Sequence, residues 1–150
     1  MKILHIKSWS RSGLWPEEKL KYQITLMSSD RLCRRKKLKV DSGQEIMLSL
    51  DKVVEFRDND GLELENGDWV RIKSAKEDVI DIIAKNNEHH SLLAWHLGNR
   101  HLAIQVVSEN ILRILADHVI AKMLEGLEAK IEYKKEVFNP EFGAYGSHHH

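Results

Sequence analysis

The chain has 150 residues, with 23 lysines and arginines, 23 aspartates and glutamates, nine histidines and one cysteine. This length suits one ordinary domain or two small ones, and a single cysteine excludes both an intramolecular disulfide and a thiolate metal cluster. No run approaches the roughly 18 apolar residues that a membrane helix needs, and the polar start of the sequence differs from a secretory signal. We therefore predict a cytoplasmic protein with no membrane partner.

Charge and histidine are unevenly distributed along the chain, although the formal net charge is zero. Residues 1–76 carry 16 basic and 12 acidic side chains, whereas residues 77–150 carry 7 and 11. His5 is the only histidine of the first half, and the other eight lie between His89 and His150. This concentration of imidazoles is the first indication of function, and it points to the second half.

Short strands are predicted between residues 21 and 73. Three stretches, at residues 22–26, 38–40 and 46–50, place apolar side chains at every second position, which is typical of half-buried strands. Turn signals separate them and no helical stretch intervenes, so we predict a small antiparallel β domain over residues 1–75. Residues 1–20 show no clear period and are assigned to an irregular arm.

The pattern changes near residue 76, where we place the domain boundary. Gly98 is expected to end the first of two helices in the left-handed conformation. The order β-α-β-β-α-β predicts a ferredoxin-like domain over residues 76–150, followed by an extended tail that ends in histidines. The fold class is therefore α+β with two domains. The predicted elements of the second domain are residues 79–84, 87–97, 102–107, 111–115, 117–127 and 129–138.

Apolar positions predict which face each helix buries. Leu92, Leu93 and His96 share one face of the first helix. The second helix carries an apolar stripe, and at about 100° per residue His118 points away from it. The stripe is made of Ile120, Met123, Leu124 and Leu127.

Six basic side chains crowd residues 31–39. They can form a phosphate-contacting patch, or they can be the solvated surface of a strand whose charges discourage edge-to-edge pairing. Because this stretch lacks aromatic residues that would stack on bases, and because the protein is neutral, we predict no nucleic-acid partner. The six are Arg31, Arg34, Arg35, Lys36, Lys37 and Lys39.

Motifs for catalysis are missing from the sequence. There is no GxSxG, HExxH or phosphate-loop pattern. Asp117 and His118 are neighbours on a helix, so their side chains point in different directions. With no identifiable nucleophile or dedicated general base, we predict that the protein is not an enzyme.

Metal binding is the better use of the histidines, because imidazole suits nickel, copper and zinc. His96 lies on an apolar face, so a hydrogen-bonded, half-buried side chain competes there with a metal ligand. His101 follows a glycine turn, from which its ring can leave the surface. His118 points outward and is either a ligand or an ordinary exposed residue, while His89 and His90 suit the polar first turn of a helix.

Three further histidines close the sequence: His148, His149 and His150. They follow Gly146 and Ser147, an arrangement that fits either a purification tag or a native metal-collecting tail.

Three segments of the second half resemble the signature of one family. They read W-H-L-G-N-R-H at residues 95–101, D-H-V-I with M-L and G-L after it at residues 117–127, and F-N-P-E-F-G-A-Y at residues 138–145. The first closely resembles the hallmark of the urease accessory nickel metallochaperones, the UreE family. The other two are similar to a helix and to the ending of that family, in the same order, and the N-terminal half agrees in its strand pattern only.

The resemblance implies a fold and a task. Members pair an N-terminal β domain of the peptide-binding type with a ferredoxin-like metal domain, and they form homodimers through the second domain. They deliver Ni(II) to the urease apoprotein with the other urease accessory proteins, including the accessory GTPase. By motif, His101 would be the principal nickel ligand at the dimer interface, with His118 and His96 in secondary sites. Histidine-rich tails are common in the family, which favours native ligands at His148, His149 and His150.

Other functions stay open at this point. A two-fold axis would bring two copies of His101 together, but Zn(II) or Cu(II) can occupy the same imidazoles, and copper binds them more tightly than nickel. The chain can therefore be a general zinc or copper buffer. It can also be a non-catalytic peptide- or RNA-binding adaptor, although that function needs a basic or aromatic sheet face and residues 102–107 supply neither.

Overall fold

The computed structural model describes residues 2–141, which form two compact units, one ending at Ala75 and the other spanning Lys76–Glu141. Both units are built mostly of strands, and both α-helices of the described residues lie in the second, whereas the first has only two short 3-10 turns, Glu17–Lys19 and Ser28–Asp30. The predicted α+β class with two domains is confirmed. Within residues 2–141 no helix is long and apolar enough to cross a membrane.

The N-terminal unit is a curled six-stranded sheet with the order β2-β6-β5-β1-β4-β3. Three neighbouring pairs are antiparallel, as predicted, whereas β1–β4 and β2–β6 run parallel, so the sheet is mixed. Its core contains the alternating residues that the sequence marked, among them Ile24, Leu38 and Ile46. The strands are β1 (Leu4–Ser10), β2 (Leu20–Leu26), β3 (Leu32–Lys39), β4 (Glu45–Glu55), β5 (Gly61–Leu64) and β6 (Trp69–Ser74).

The prediction of an irregular arm at residues 1–20 is wrong for its first half. β1 lies inside the sheet, paired with β5 on one side and β4 on the other. Leu4 and Ile6 pack against the core while His5 and Lys7 are exposed. The period of two is therefore present, but over too few residues to be recognised without the partner strands.

Trp15 lies beyond β1 and is 7% exposed. Its ring stacks on Trp69 with ring centroids 5.5 Å apart, and its indole N–H donates to the Asn59 carbonyl at 3.0 Å. A Cβ atom on Gly61 would lie 2.6 Å from the Trp15 ring. Only glycine at residue 61 permits this packing.

The C-terminal unit is a four-stranded sheet with the order β10-β7-β9-β8 and antiparallel pairing throughout its described strands. Buried residues of both helices, among them Leu97 and Leu124, form one core with residues of β7 and β9 such as Ile80 and Leu112. This is the predicted ferredoxin-like arrangement. Its elements are β7 (Lys76–Ile83), α1 (Asn87–Asn99), β8 (Gln105–Ser108), β9 (Ile111–Leu115), α2 (His118–Gly126) and β10 (Lys130–Val137).

The buried face of α1 differs from the prediction. Leu93 and Leu97 are fully buried, four residues apart, whereas Leu92 is 47% exposed. One residue along a helix is a rotation of about 100°, so Leu92 cannot share the face that Leu93 and Leu97 define. The strand predicted from residue 102 also begins later, at Gln105.

Both helices end on a non-glycine residue in the left-handed conformation, His101 with φ 57° and Glu128 with φ 68°. After α1, the His101 N–H donates to the Gly98 carbonyl at 3.0 Å and the Leu102 N–H to the Leu97 carbonyl at 3.4 Å. These two bonds form a Schellman motif.

The prediction that Gly98 ends α1 in a left-handed conformation is therefore wrong. Gly98 lies within the helix, and the reversal falls at His101. The closing bond of a Schellman motif is accompanied by an apolar contact between the residue after the reversal and the last turn. Leu102 packs against the core that contains Leu97, so the helix ends where that side chain can reach the core.

Candidate metal site

The His101 ring lies at the surface of the C-terminal unit. The side chain is exposed, and no hydrogen bond or ion pair joins the ring to another of residues 2–141. As far as residues 2–141 are concerned, both ring nitrogens of His101 are thus free for an external ligand.

His96 is half-buried on α1, as the sequence suggested. Its ring meets the edge of the Trp95 ring at a centroid distance of 4.9 Å and an angle of 81°. Trp95 is 60% exposed, and Leu92 on the previous turn is 47% exposed. The helix that precedes His101 therefore presents two apolar side chains to the solvent, three residues apart.

His118 begins α2 and is exposed, on the side predicted from the apolar stripe. Asp117 caps this helix, with its carboxylate accepting from the Val119 and Ile120 N–H groups at 2.9 and 3.1 Å. The His118 Nδ1 atom lies 3.2 Å from the Tyr133 hydroxyl, at the wall of a surface groove of about 430 Å³. This bond holds one ring nitrogen and leaves Nε2 open.

The sequence did not identify Tyr133 as a neighbour of His118. Tyr133 follows Ile131 by two positions on β10, which marks it as facing the helices, but a contact over 15 residues of chain depends on strand register. No local pattern carries that information.

His89 has a structural role instead. Its Nδ1 accepts from the Lys85 N–H at 2.9 Å, and its Nε2 lies 2.8 Å from the Leu127 carbonyl. Because Nδ1 is the acceptor, Nε2 carries the proton and donates to Leu127. Both nitrogens are occupied, so His89 ties the start of α1 to the end of α2 and is not a metal ligand in this arrangement. The neighbouring His90 ring is half-buried.

One copy of the described chain does not gather a complete ligand set. Within residues 2–141 no three histidine, cysteine, aspartate or glutamate side chains lie close enough together to hold a metal ion. His96, His101 and His118 are thus separate donors in this part of the chain. The other predicted ligands, His148, His149 and His150, lie outside the described residues.

A buried ion network lies on the sheet of the same unit. Asp81 on β7 is 1% exposed. It receives two hydrogen bonds from the Arg113 guanidinium at 2.6 and 3.0 Å, and Lys134 Nζ lies 3.1 Å away. Burial pushes the pKa of the Asp81 carboxyl upward, but the bonds from Arg113 and Lys134 outweigh it and leave that pKa below its usual value. Asp81 in turn raises the pKa of Arg113.

The basic run lies on β3, an edge strand of the N-terminal sheet. Lys36 pairs with Asp30 at 3.0 Å and Lys37 with Glu45 at 3.3 Å, whereas Arg31 is buried at 1% exposure. This position supports the second interpretation of the run, in which charges protect a free sheet edge.

Two family models match the two halves of the chain. One, described as the N-terminal domain of the UreE urease accessory protein, matches residues 5–75, and the other, described as its C-terminal domain, matches residues 77–150. The C-terminal match contains the two helices and all the candidate metal ligands.

Curated relatives extend the similarity over most of the chain. The urease accessory protein UreE of Agrobacterium fabrum is 43% identical over 146 residues, which is 97% of this chain and 89% of the relative. That of Rhizobium rhizogenes is 46% identical over 84% of this chain and 75% of its own. That of Brucella abortus is 39% identical over 84% and 73%.

The fold and these matches define a two-domain α+β protein whose ferredoxin-like unit carries His96, His101 and His118. The chain belongs to the UreE urease accessory protein family.

Proposed function

We propose that this chain is a nickel-binding metallochaperone that delivers Ni(II) to the urease apoprotein while the urease active site is assembled. The observation that carries this proposal is His101. It lies in a segment with the family hallmark, at a left-handed helix end, and its exposed ring has no hydrogen-bond partner within residues 2–141. The relatives of this chain carry the name urease accessory protein, which assigns them a supporting rather than a catalytic task.

A homodimer through the C-terminal unit would complete the site. Two exposed apolar side chains, Leu92 and Trp95, lie on α1, nine and six residues before His101. Burial of such a surface against a second copy is favourable, and a two-fold axis would bring the two His101 rings together. Two imidazoles, completed by water or by tail histidines, hold a metal ion more loosely than the closed shell of a structural site. A protein that must release its cargo needs such a site.

The donors fit nickel without selecting it. Imidazole also suits Zn(II) and Cu(II), and copper binds such sites more tightly than nickel. In this proposal selectivity therefore comes from metal supply in the cytoplasm and from docking to urease and its other accessory proteins, including the accessory GTPase. His96, His118 and the histidines at 148–150 serve as secondary ligands.

Nickel titration of wild type against His101→Ala tests the proposal, with His118→Ala as the matched control. We expect wild type to bind nickel at His101 with one ion shared between two chains. Loss of that imidazole should weaken the tightest site at least about tenfold, whereas His118→Ala should leave it unchanged. Calorimetry gives affinity and stoichiometry together. An unchanged affinity and stoichiometry in His101→Ala would overturn the proposal.

A general zinc or copper buffer is the remaining alternative. Capture of apo-urease and its accessory proteins by the nickel-loaded chain separates the two functions, because a buffer does not need to dock. Nickel transfer to apo-urease from the wild type but not from His101→Ala supports the chaperone, and equal transfer from both contradicts it.

A further inference from the structure

Tyr133 lies on the side of the C-terminal sheet that carries the helices. On β10 it is opposite Ile80 of β7, and Ile80 is in turn opposite Ile114 of β9. Ile80 and Ile114 belong to the core that the two helices cover. The Tyr133 side chain is nevertheless 54% exposed, so its ring lies at the margin of that core, within reach of His118 at the start of α2.

The contact between Tyr133 and His118 is specific in its geometry. The Tyr133 hydroxyl lies 3.2 Å from His118 Nδ1, and the two ring centroids are 5.7 Å apart with the ring planes inclined by 37°. Both side chains line the same surface groove of about 430 Å³. The contact therefore engages one ring nitrogen of His118 beside a space that is large enough for a metal ion with its water ligands.

The charges around the groove are paired. Lys134 and Lys135 also line it, and each of these ammonium groups has a carboxylate beside it. Lys134 Nζ lies 3.1 Å from Asp81, and Lys135 Nζ lies 3.8 Å from Asp78. These carboxylates reduce the repulsion that the two lysines exert on a cation in the groove.

The protonation of the His118 ring decides which nitrogen can bind a metal ion. A neutral imidazole carries one proton, and a tyrosine hydroxyl can either donate or accept. When the Tyr133 oxygen accepts from Nδ1–H, the lone pair of the ring is on Nε2. When the hydroxyl donates to Nδ1 instead, Nε2 carries the proton and is closed to metal. A metal ion on Nε2 selects the first arrangement, in which the histidine donates its second ring N–H to an acceptor.

We propose that Tyr133 is a positioning residue for the secondary metal site, because its hydroxyl accepts from His118 Nδ1–H and so reserves Nε2 for the metal ion. This inference rests on the proposed function, in which His118 is a secondary ligand. Loss of such an acceptor typically weakens metal binding by about 10- to 100-fold. For a single uncharged acceptor at the surface we expect a smaller loss, of about three- to tenfold.

Histidine side-chain ¹⁵N NMR of the full chain tests this role. The probe is Zn(II), which is diamagnetic and suits the same imidazole nitrogens, at free concentrations set by a chelating buffer. The ¹⁵N shifts show which nitrogen carries the proton and which carries the metal ion, so His118 is observed separately from His101. Tyr133→Phe removes the hydroxyl and keeps the ring. Tyr22→Phe, at a half-buried tyrosine of the N-terminal unit, is the matched control.

In the wild type we expect zinc on Nε2 of His118 and the proton on Nδ1. Tyr133→Phe should need about three- to tenfold more free zinc to reach half-saturation at His118, and zinc should then be shared between both ring nitrogens. The half-saturation of His101 should stay within about twofold of wild type, and Tyr22→Phe should change neither histidine by more than that.

Four results would overturn the inference. They are zinc on Nδ1 of His118 in the wild type, no response of His118 to zinc, an unchanged half-saturation and unchanged choice of nitrogen in Tyr133→Phe, and an equal weakening at His101 and His118. The last result would mean that Tyr133 acts through the fold. None of them touches the proposed function, which fails only if His101→Ala binds nickel as tightly as the wild type.

Discussion

Asp81 keeps its charge although it is almost completely buried. Its carboxylate is 1% exposed, and it lies between the Arg113 guanidinium, itself 13% exposed, and the half-exposed Lys134 ammonium. These three residues come from β7, β9 and β10, so one carboxylate joins three of the four strands. Removal of one partner from a buried ion pair is costly because the other charge stays desolvated.

Asp81→Asn should therefore lower the free energy of unfolding by about 3 kcal/mol near neutral pH. The folded pKa of Asp81 lies below its usual value, so its stabilisation is complete above the ordinary aspartate pKa of about 3.9 and is lost as pH falls through the lowered pKa. The difference between the wild type and Asp81→Asn should narrow below about pH 4. Urea unfolding of both proteins at neutral and acidic pH measures this difference in the free energy of unfolding.

Glu132→Gln is the control for Asp81→Asn. This carboxylate is 41% exposed and lies 3.8 Å from the same Lys134, so its loss should cost less than about 1 kcal/mol. If the difference in the free energy of unfolding between wild type and Asp81→Asn stays constant with pH, the prediction is contradicted.

Among the elements, the two helices share an unusual ending. The left-handed conformation is roughly 1–2 kcal/mol less favourable for a non-glycine residue. Such a residue follows both helices, His101 after α1 and Glu128 after α2. Strain of this kind is retained where a side chain is needed. At His101 the needed side chain is the proposed nickel ligand, whereas Glu128 makes only an exposed ion pair with Lys85 at 3.2 Å.

Glu128→Gly should stabilise the C-terminal unit by about 1 kcal/mol, because glycine adopts the left-handed conformation without penalty. Glu128→Ala is the matched control, since it removes the same ion pair and keeps the strain. In thermal unfolding, Glu128→Gly should therefore have a higher melting temperature than Glu128→Ala. Equal melting temperatures for the two variants would show that the backbone at residue 128 is not strained.

Local patterns predicted the elements better than their ends. The stripe of α2 and the outward direction of His118 follow from a period of 3.6 residues within one helix. The left-handed conformations of His101 and Glu128 do not follow from any local period. They depend on whether Leu102 and Ala129 reach the core after the turn. Gly98 is helical and gave the wrong signal for the end of α1.

The sequence identified the histidines of the candidate site but not their surroundings. His101 is recognisable from its motif, whereas the Tyr133 contact of His118 and the contacts of Asn139 and Glu141 with residues 104–106 depend on strand register and on the path of residues 138–141. β1 was missed for a similar reason, since its parallel pairing with β4 joins segments about 40 residues apart.

At the scale of the whole molecule, the proposed homodimer depends on the exposed surface of α1. Trp95, 60% exposed, is the largest apolar side chain of that surface. Tryptophan is enriched among the residues that dominate interface energies. Its substitution should therefore affect assembly more than it affects the fold of one copy.

Trp95→Ser should weaken dimerisation by at least about 2 kcal/mol, or roughly thirtyfold in the dissociation constant. Sedimentation velocity over a range of concentrations measures the shift towards monomer. Val119→Ser, at an exposed apolar residue of α2 that is 77% exposed, is the control and should leave the dimer intact. Assembly of Trp95→Ser equal to that of wild type would place the interface elsewhere.

The positions of the four tryptophans allow one of them to be followed by its intrinsic fluorescence. Trp15 and Trp69 are buried in the N-terminal unit and Trp9 is half-buried there, so Trp95 alone reports on the C-terminal unit, which carries His96, His101 and His118. Its ring touches His96 and is open to the solvent. Emission quenched by iodide or by a paramagnetic ion thus comes mainly from one fluorophore, and events at the end of α1 can be followed in the unlabelled chain.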